Sequence, residues 1–380
     1  MKIAIISCVW PPYGAGVGVV AKNQAEYLTK LGHKITVFTP AYHNELARVE
    51  INGGLEIRFL RPLLSFGNAA VLPQLLSQIR NFDLVHLHLY FIGSTWFVKT
   101  ICHLFDIPLV VQYHNDLIGS GVRRIIFRFY TKCFLTSLVK NAKFIFGLSE
   151  AHVAGSDLAN LSDRVKNKIR YLPNGVNTEL FCPGEMFNNL RQKFNIFDHK
   201  ILLFVGGLDQ AHYFKGLPVL LSALSILSKK DNDIFLIVVG EGELKKDYQV
   251  QAQVLGVAKN IIWAGGIDQQ KLPDYYRLAD LFILPSVAVE AFPVVVLEAM
   301  ACAKPVITTT LPGPAALVGQ DGLVVPINDS VSLSQAIVRL FEHPDERKFL
   351  GESARIKVVT NYSWPRVTQK LVEYYKEALL

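Results

Sequence analysis

A chain of 380 residues, 51% of them hydrophobic, exceeds one ordinary core, so two domains of about 150 to 200 residues are expected. The 39 Lys and Arg against 32 Asp and Glu give a net charge of +7, which suits anionic partners such as phosphates or an acidic membrane surface. Nucleic acid is set aside because no basic-aromatic recognition module is present. No run of about 18 apolar residues could span a membrane, and five cysteines without CxxC or metal-ligand spacing fit a reducing cytoplasm and no metal site.

The first apolar run, 2–9, could imitate a signal sequence, but Pro11-Pro12 ends it without a small-residue cleavage site, so it reads as a first strand. Pro11 to Gly18 then forms a glycine-rich strand-to-helix turn. Gly14, Gly16 and Gly18 stand two apart, unlike GxGxxG, and suit either close approach to a phosphate or sugar hydroxyl or merely a tight turn. Further short β-rich runs at 34–39, 83–88, 108–113 and 143–148 are separated by helical-period segments such as 17–31 and 94–104. Runs this continuously apolar belong to a parallel sheet covered on both faces.

His114 follows the 108–113 strand, at the end where such sheets bind ligands; it reads either as a substrate contact or as a satisfied loop histidine. His86 and His88 fit packing or support of that position. Segment 121–140 is an amphipathic helix with Arg124, Arg128 and Lys132 four apart, either a solvated basic face or a surface for anionic lipid.

The alternation restarts after Pro173-Asn174-Gly175 and Pro183-Gly184, with strands at 201–205, 234–239, 281–284, 305–308 and 323–325. The fold class is therefore α/β, with two Rossmann-like doubly wound domains: 1–178, completed by a final helix at 363–380, and 179–362. A ligand is expected in a cleft between them.

In the second half, Gly206-Gly207-Leu208-Asp209 and then Lys215-Gly216 lie between the first strand and its helix. Lys215 reads equally as a point charge for a diphosphate or as a solvated lysine. In Glu290-Ala-Phe-Pro-Val-Val-Val-Leu-Glu298, Pro293 suits the first position of a helix better than a central strand. Val294, Val295 and Val296 would then present backbone N–H groups to an anion. Glu290 falls in the loop and Glu298 inside the helix, so they either hold separate parts of a ligand or act as a cap and an ordinary helix residue.

Taken in order, these segments resemble the retaining glycosyltransferases of family four, with the GT-B fold. The resemblance runs through the Pro11-Pro12 glycine loop, Gly32-His33-Lys34-Ile35-Thr36-Val37, Leu148-Ser149-Glu150, Leu172-Pro173-Asn174-Gly175-Val176-Asn177 and Phe181. It continues through Phe204-Val205-Gly206, Lys215-Gly216, Ala279-Asp280-Leu281-Phe282-Ile283-Leu284-Pro285-Ser286, the E-x7-E pattern of Glu290 and Glu298, 322–326 and Tyr362-Ser363-Trp364.

The resemblance implies transfer of a hexose, from UDP-glucose or another UDP-hexose, to a glycan or lipid-linked glycan in polysaccharide biosynthesis. It implies retention at the anomeric carbon, with no metal and no cofactor beyond the sugar nucleotide. Glu290 would hold sugar hydroxyls, Glu298 the ribose, Lys215 the diphosphate with the N–H groups of Val294 and Val295, and His114 the sugar. Gly16 would abut the phosphate, and Gly206, Ile267, Phe292 and Pro293 would line the donor pocket, with the base on the 265–267 loop. The expected place of work is the cytoplasm, including the cytoplasmic face of a membrane touched by 121–140.

The chain departs from the family pattern at Gly207, where an arginine is usual, and at the inserted Gln210-Ala211-His212-Tyr213-Phe214. His212 is one candidate to replace the missing cation. Alternatives carried alongside are a GDP-mannose-dependent transferase, a non-catalytic nucleotide-sugar binder and an epimerase of similar architecture.

Overall fold

The protein is described by a computed structural model covering all residues except 12–15, 43–44, 118–120, 185–187, 231–232 and 289. The side chains of 122–124, 126, 128, 132, 133, 164, 188 and 189 are likewise not described. The chain forms two compact units, Met1–Asn174 with Trp364–Leu380, and Gly175–Ser363.

The first unit is built from β1 (Lys2–Ile6), β2 (Lys34–Pro40), β3 (Arg48–Asn52), β4 (Leu55–Leu60), the small hairpin β5 (Leu64–Phe66) and β6 (Ala69–Val71), then β7 (Leu84–Leu89), β8 (Leu109–Tyr113), β9 (Phe144–Gly147) and β10 (Ile169–Tyr171). Its main sheet runs β10-β9-β8-β7-β1-β2-β4-β3. All neighbours are parallel except β3, which returns antiparallel along the exposed edge of β4. Strands β7, β8 and β9 are buried along their whole length, which is why they are near-continuous apolar runs.

In the second unit β11 (Lys200–Val205), β12 (Ile234–Val239), β13 (Ile261–Gly265), β14 (Leu281–Leu284), β15 (Val306–Thr309) and β16 (Leu323–Val325) form a parallel sheet in the order β13-β12-β11-β14-β15-β16. In each sheet the order reverses once, at β1 between β2 and β7 and at β11 between β12 and β14. Loops leaving the carboxyl ends of strands diverge there and open a crevice.

Several details depart from the sequence reading. Strand β1 stops at Ile6 rather than residue 9, because Ser7 Oγ donates to the carbonyl of Val9 at 2.7 Å in a tight turn. Strands β3, β4, β10 and β13 and the β5–β6 hairpin were not anticipated: β3 is exposed throughout, β4 alternates buried with half-buried residues over its first four positions, β10 holds no buried residue and β13 holds one. The first unit ends at 174, not 178. Val176 N–H donates to Tyr362 O at 2.8 Å, and the Arg355 guanidinium donates to the carbonyls of Thr178 and Phe181 at 3.0 and 2.8 Å, so this stretch packs with the second unit.

Segment 121–141 is helical, with α-helices Gly121–Tyr130 and Thr136–Asn141 joined by a π-turn at Thr131–Leu135. The side chains of Arg124, Arg128 and Lys132, on which the lipid-facing reading rests, lie outside the described residues. Ile125 and Phe129 are exposed.

The final helix, Trp364–Leu379, presents Trp364, Val367, Leu371, Tyr375 and Ala378 at three- and four-residue spacing. This stripe packs into the first unit's core with Ile3, Ile5, Ile35, Val37 and Leu28. Leu371→Ala should therefore destabilise the first unit by about 2–5 kcal/mol and leave the second unit's urea transition in place. A shift confined to the second unit would contradict this packing.

Candidate active site

The crevice of the second sheet is lined by the loops after β11 and β14. The first begins with Gly206-Gly207, and Asp209 then caps a short 3-10 helix, Gln210–Lys215, accepting the backbone N–H of His212 at 3.0 Å. The inserted residues, read from sequence as part of a long loop, form this helix. Gly216 ends it with φ 75°, a left-handed conformation that favours glycine. A Cβ there would sit 1.9 Å from Pro285 O, so the absence of a side chain lets the two loops touch. Val287 N–H donates to Phe214 O at 2.7 Å across the same contact.

These loops bring Lys215 and Glu290 together: Nζ lies 3.1 Å from Oε2, with side chains 12% and 11% exposed. Ser286, fully buried, donates from Oγ to the same oxygen at 3.3 Å. Glu290 does not cap the following helix by its side chain, since the N-cap is Pro293 and no side-chain bond is made there. Gly313 approaches from the first turn of the helix Pro312–Val318, where a Cβ would lie 2.2 Å from Glu290 O.

Pro293 is not the first helical residue. Its ψ of 110° is extended and the helix begins at Val294. Its carbonyl accepts Val296 N–H at 3.1 Å, so that N–H is not free for an anion and only those of Val294 and Val295 fit the expectation. Phe292 is 8% exposed and packs against Tyr362, leaving its backbone to meet any ligand.

Glu298, one turn inside the helix, is buried and accepts Tyr276 O–H at 2.8 Å. Burial pushes its carboxyl up to about 7, opposed by the Tyr276 hydrogen bond and the Lys215 charge. Tyr276 and Ser286 were missed in the sequence reading; a tyrosine in a helix and a serine after a strand carry no signal before their partners are known. Gly206 lies under Lys215; Gly265 ends β13, where Glu241 Oε1 would be 2.9 Å from a Cβ, and the half-buried Ile267 follows it.

In the first unit Gly16 caps the first helix with φ 68°, whereas Gly14 and Ala15 lie outside the described residues. His114 sits at the end of β8, 5% exposed, its Nε2 2.9 Å from His88 Nδ1. His88 stacks between His86 and His114, and His86 Nδ1 reaches Tyr375 O–H at 2.6 Å. His114 therefore has one ring nitrogen engaged inward and only Nδ1 left for a ligand, with the tautomers of the two rings tied together.

Burial pushes His86 and His114 down to about 3 and His88 well below its ordinary value. The unfolded chain then binds protons that the folded first unit refuses, so stability falls as pH drops below about 6.5, by about 1.4 kcal/mol per pH unit for each imidazole. Glu298 has the opposite sign. Its folded carboxyl binds a proton the unfolded one has lost, so its cost grows as pH rises from about 4.5 to about 7 and is constant above. Urea unfolding from pH 4.5 to 8 should show Glu298→Gln gaining on wild type by up to about 3 kcal/mol at the alkaline end, while the first unit steadily gains stability. An advantage of this variant that does not change with pH would refute the assignment.

Comparison with known proteins bears on the family and the fold. The family model described as Glycosyltransferase Family 4 matches residues 14–180, and that described as Glycosyl transferases group 1 matches 186–357. The chain is 28% identical to a D-inositol 3-phosphate glycosyltransferase of Corynebacterium urealyticum, covering 99% of this chain and 95% of the relative. It is 26% identical to a phosphatidyl-myo-inositol mannosyltransferase of Mycobacterium leprae, covering 99% and 96%. The sucrose-phosphate synthase from Thermosynechococcus elongatus superposes with a TM-score of 0.80 at 22% identity over 99% of this chain and 98% of that one, showing the same fold. With both halves matched in order by these models, the chain belongs to the family-four, group-1 glycosyltransferases and has their GT-B fold.

Proposed function

We propose that this glycosyltransferase moves a hexosyl group from a nucleoside-diphosphate sugar to a hydroxyl of a glycan or lipid-linked glycan, retaining the anomeric configuration without a metal ion or other cofactor. The observation that carries this reading is the Lys215–Glu290 pair at the point where the second sheet reverses order. A sugar nucleotide offers an anion and a cluster of hydroxyls a few ångströms apart, and a cation beside a carboxylate answers both.

In this reading Lys215 and the N–H groups of Val294 and Val295 take the diphosphate, and Glu290 turns from Lys215 to the sugar hydroxyls. Glu298 accepts from the ribose, Ile267 and Gly206 flank the nucleotide, and His114 is assigned to the sugar. Stabilising the departing diphosphate supplies most of the catalysis, and that leaving group removes the acceptor's proton. Glu290 positions the sugar and is not a nucleophile, unlike the paired carboxylates of glycoside hydrolases.

A UDP-hexose such as UDP-glucose is the first donor choice. GDP-mannose with an inositol-containing acceptor is the second; the name of the Mycobacterium leprae relative, a phosphatidyl-myo-inositol mannosyltransferase, favours the mannosyl group and the inositol acceptor and is silent on the nucleotide. Thermal shifts with a panel of nucleotide sugars separate them, since the true donor raises the melting temperature with saturation. Glu290→Gln should keep nucleotide affinity within about three-fold and lose transfer by about 10- to 100-fold, the range for a lost charge-assisted contact in the transition state. Full turnover in that variant would overturn the role of Glu290. Donor binding by wild type without nucleotide release, with any acceptor, would indicate a non-catalytic binder.

We assign the site of action to the cytoplasmic face of a membrane, with 121–140 as the contact, supported by exposed Ile125 and Phe129. The protein should sediment with anionic vesicles at low salt and be released by high salt. Equal partition with neutral vesicles, or none with anionic ones, would remove this assignment.

A further inference from the structure

Lys215 is not alone over the end of β11. Its side chain lies across Gly206, where a Cβ would be 2.6 Å from Lys215 Cδ. The imidazole of His212 lies across the adjacent Gly207 in the same manner, 2.6 Å from Nδ1 to the position of a Cβ. The ring is held there by Asp209, whose two carboxylate oxygens stand 2.8 and 2.9 Å from Nδ1. It keeps 35% of its side-chain surface exposed and belongs to a short helix with no buried residue. Nothing in the packing of the core requires a histidine at this place.

We propose that His212, oriented by Asp209, is a second cationic ligand for the diphosphate, acting beside Lys215. This rests on the reading of the site given above and adds a residue to it. With Nδ1 bound to Asp209, Nε2 is the ring nitrogen left for a ligand. The doubly protonated ring, donating to the Asp209 carboxylate at one nitrogen and to a phosphate oxygen at the other, satisfies both anions at once. The adjacent glycines make this possible: any side chain at 207 would occupy the space the imidazole fills.

Titration calorimetry with the full-length protein and three probes, nucleoside, nucleoside monophosphate and nucleoside diphosphate of the preferred base, tests the proposal. His212→Gln should weaken the diphosphate by about 10- to 100-fold, the value of a charge-assisted hydrogen bond, and leave the nucleoside within about two-fold. His212→Arg should recover most of the lost diphosphate affinity. Gly207→Ala, whose Cβ would displace the ring, should reproduce the His212→Gln pattern although His212 is still present.

Equal weakening of nucleoside and diphosphate in His212→Gln, or no weakening of either, would overturn the proposal. Lys215→Ala separates this from failure of the underlying reading. If it weakens diphosphate binding and His212→Gln does not, only the role of His212 falls. If wild type binds no diphosphate, or Lys215→Ala leaves binding unchanged, the diphosphate site itself falls and His212 with it.

Discussion

The ion pair of Lys215 and Glu290 joins two segments 75 residues apart in sequence, and close backbone contacts between the loops after β11 and β14 let them meet. A nearly buried ion pair recovers little more than its own desolvation, so it is a poor means of holding a fold together. The local backbone accordingly carries the closure: Gly216 against Pro285, Gly313 against Glu290, and the Val287 to Phe214 hydrogen bond. Stability is spent here on placing one positive and one negative group where a sheet reverses its strand order. A site preorganised in this way can exchange the internal partner for a ligand without moving its backbone.

The two units handle titratable groups in opposite ways. The first stacks three buried imidazoles in neutral form, with His86 against Tyr375, so that the last helix and β7 share one polar seam inside an apolar core. The second buries one carboxyl with a tyrosine as its donor. Neither arrangement is the most stable choice for its place, and an apolar pair of similar volume would pack without the cost. Polar groups kept in cores despite that cost are the expected mark of a site.

Much of this was legible beforehand. Runs such as 201–205 and 281–284 have a composition that only a doubly covered strand tolerates, and Pro293 alone was enough to reject a strand at 294–297. The proline was nevertheless placed one position too far into the helix, because fixing φ leaves ψ free and its ψ is extended. Glu298 and Lys215 could be named, but not Tyr276 or Ser286, whose importance lies only in whom they touch. The exposed β3, and β10 and β13 with at most one buried residue each, gave too little apolar pattern to register as strands. His212 could be named as a replacement cation, but not its partner Asp209, which stands just before the insertion and shows its role only as the cap of the short helix the insertion forms.

The glycine at 207 has a meaning for descent as well as for geometry. Because the ring of His212 fills the space a side chain there would need, a larger residue at 207 excludes the imidazole from its present place. A lineage that places a long basic residue at 207 has no room for the imidazole, and one that adopts the imidazole must first clear 207 to glycine. Among related chains the two arrangements should therefore appear as alternatives, each with its own loop length before Lys215, and intermediates bearing both side chains should be rare.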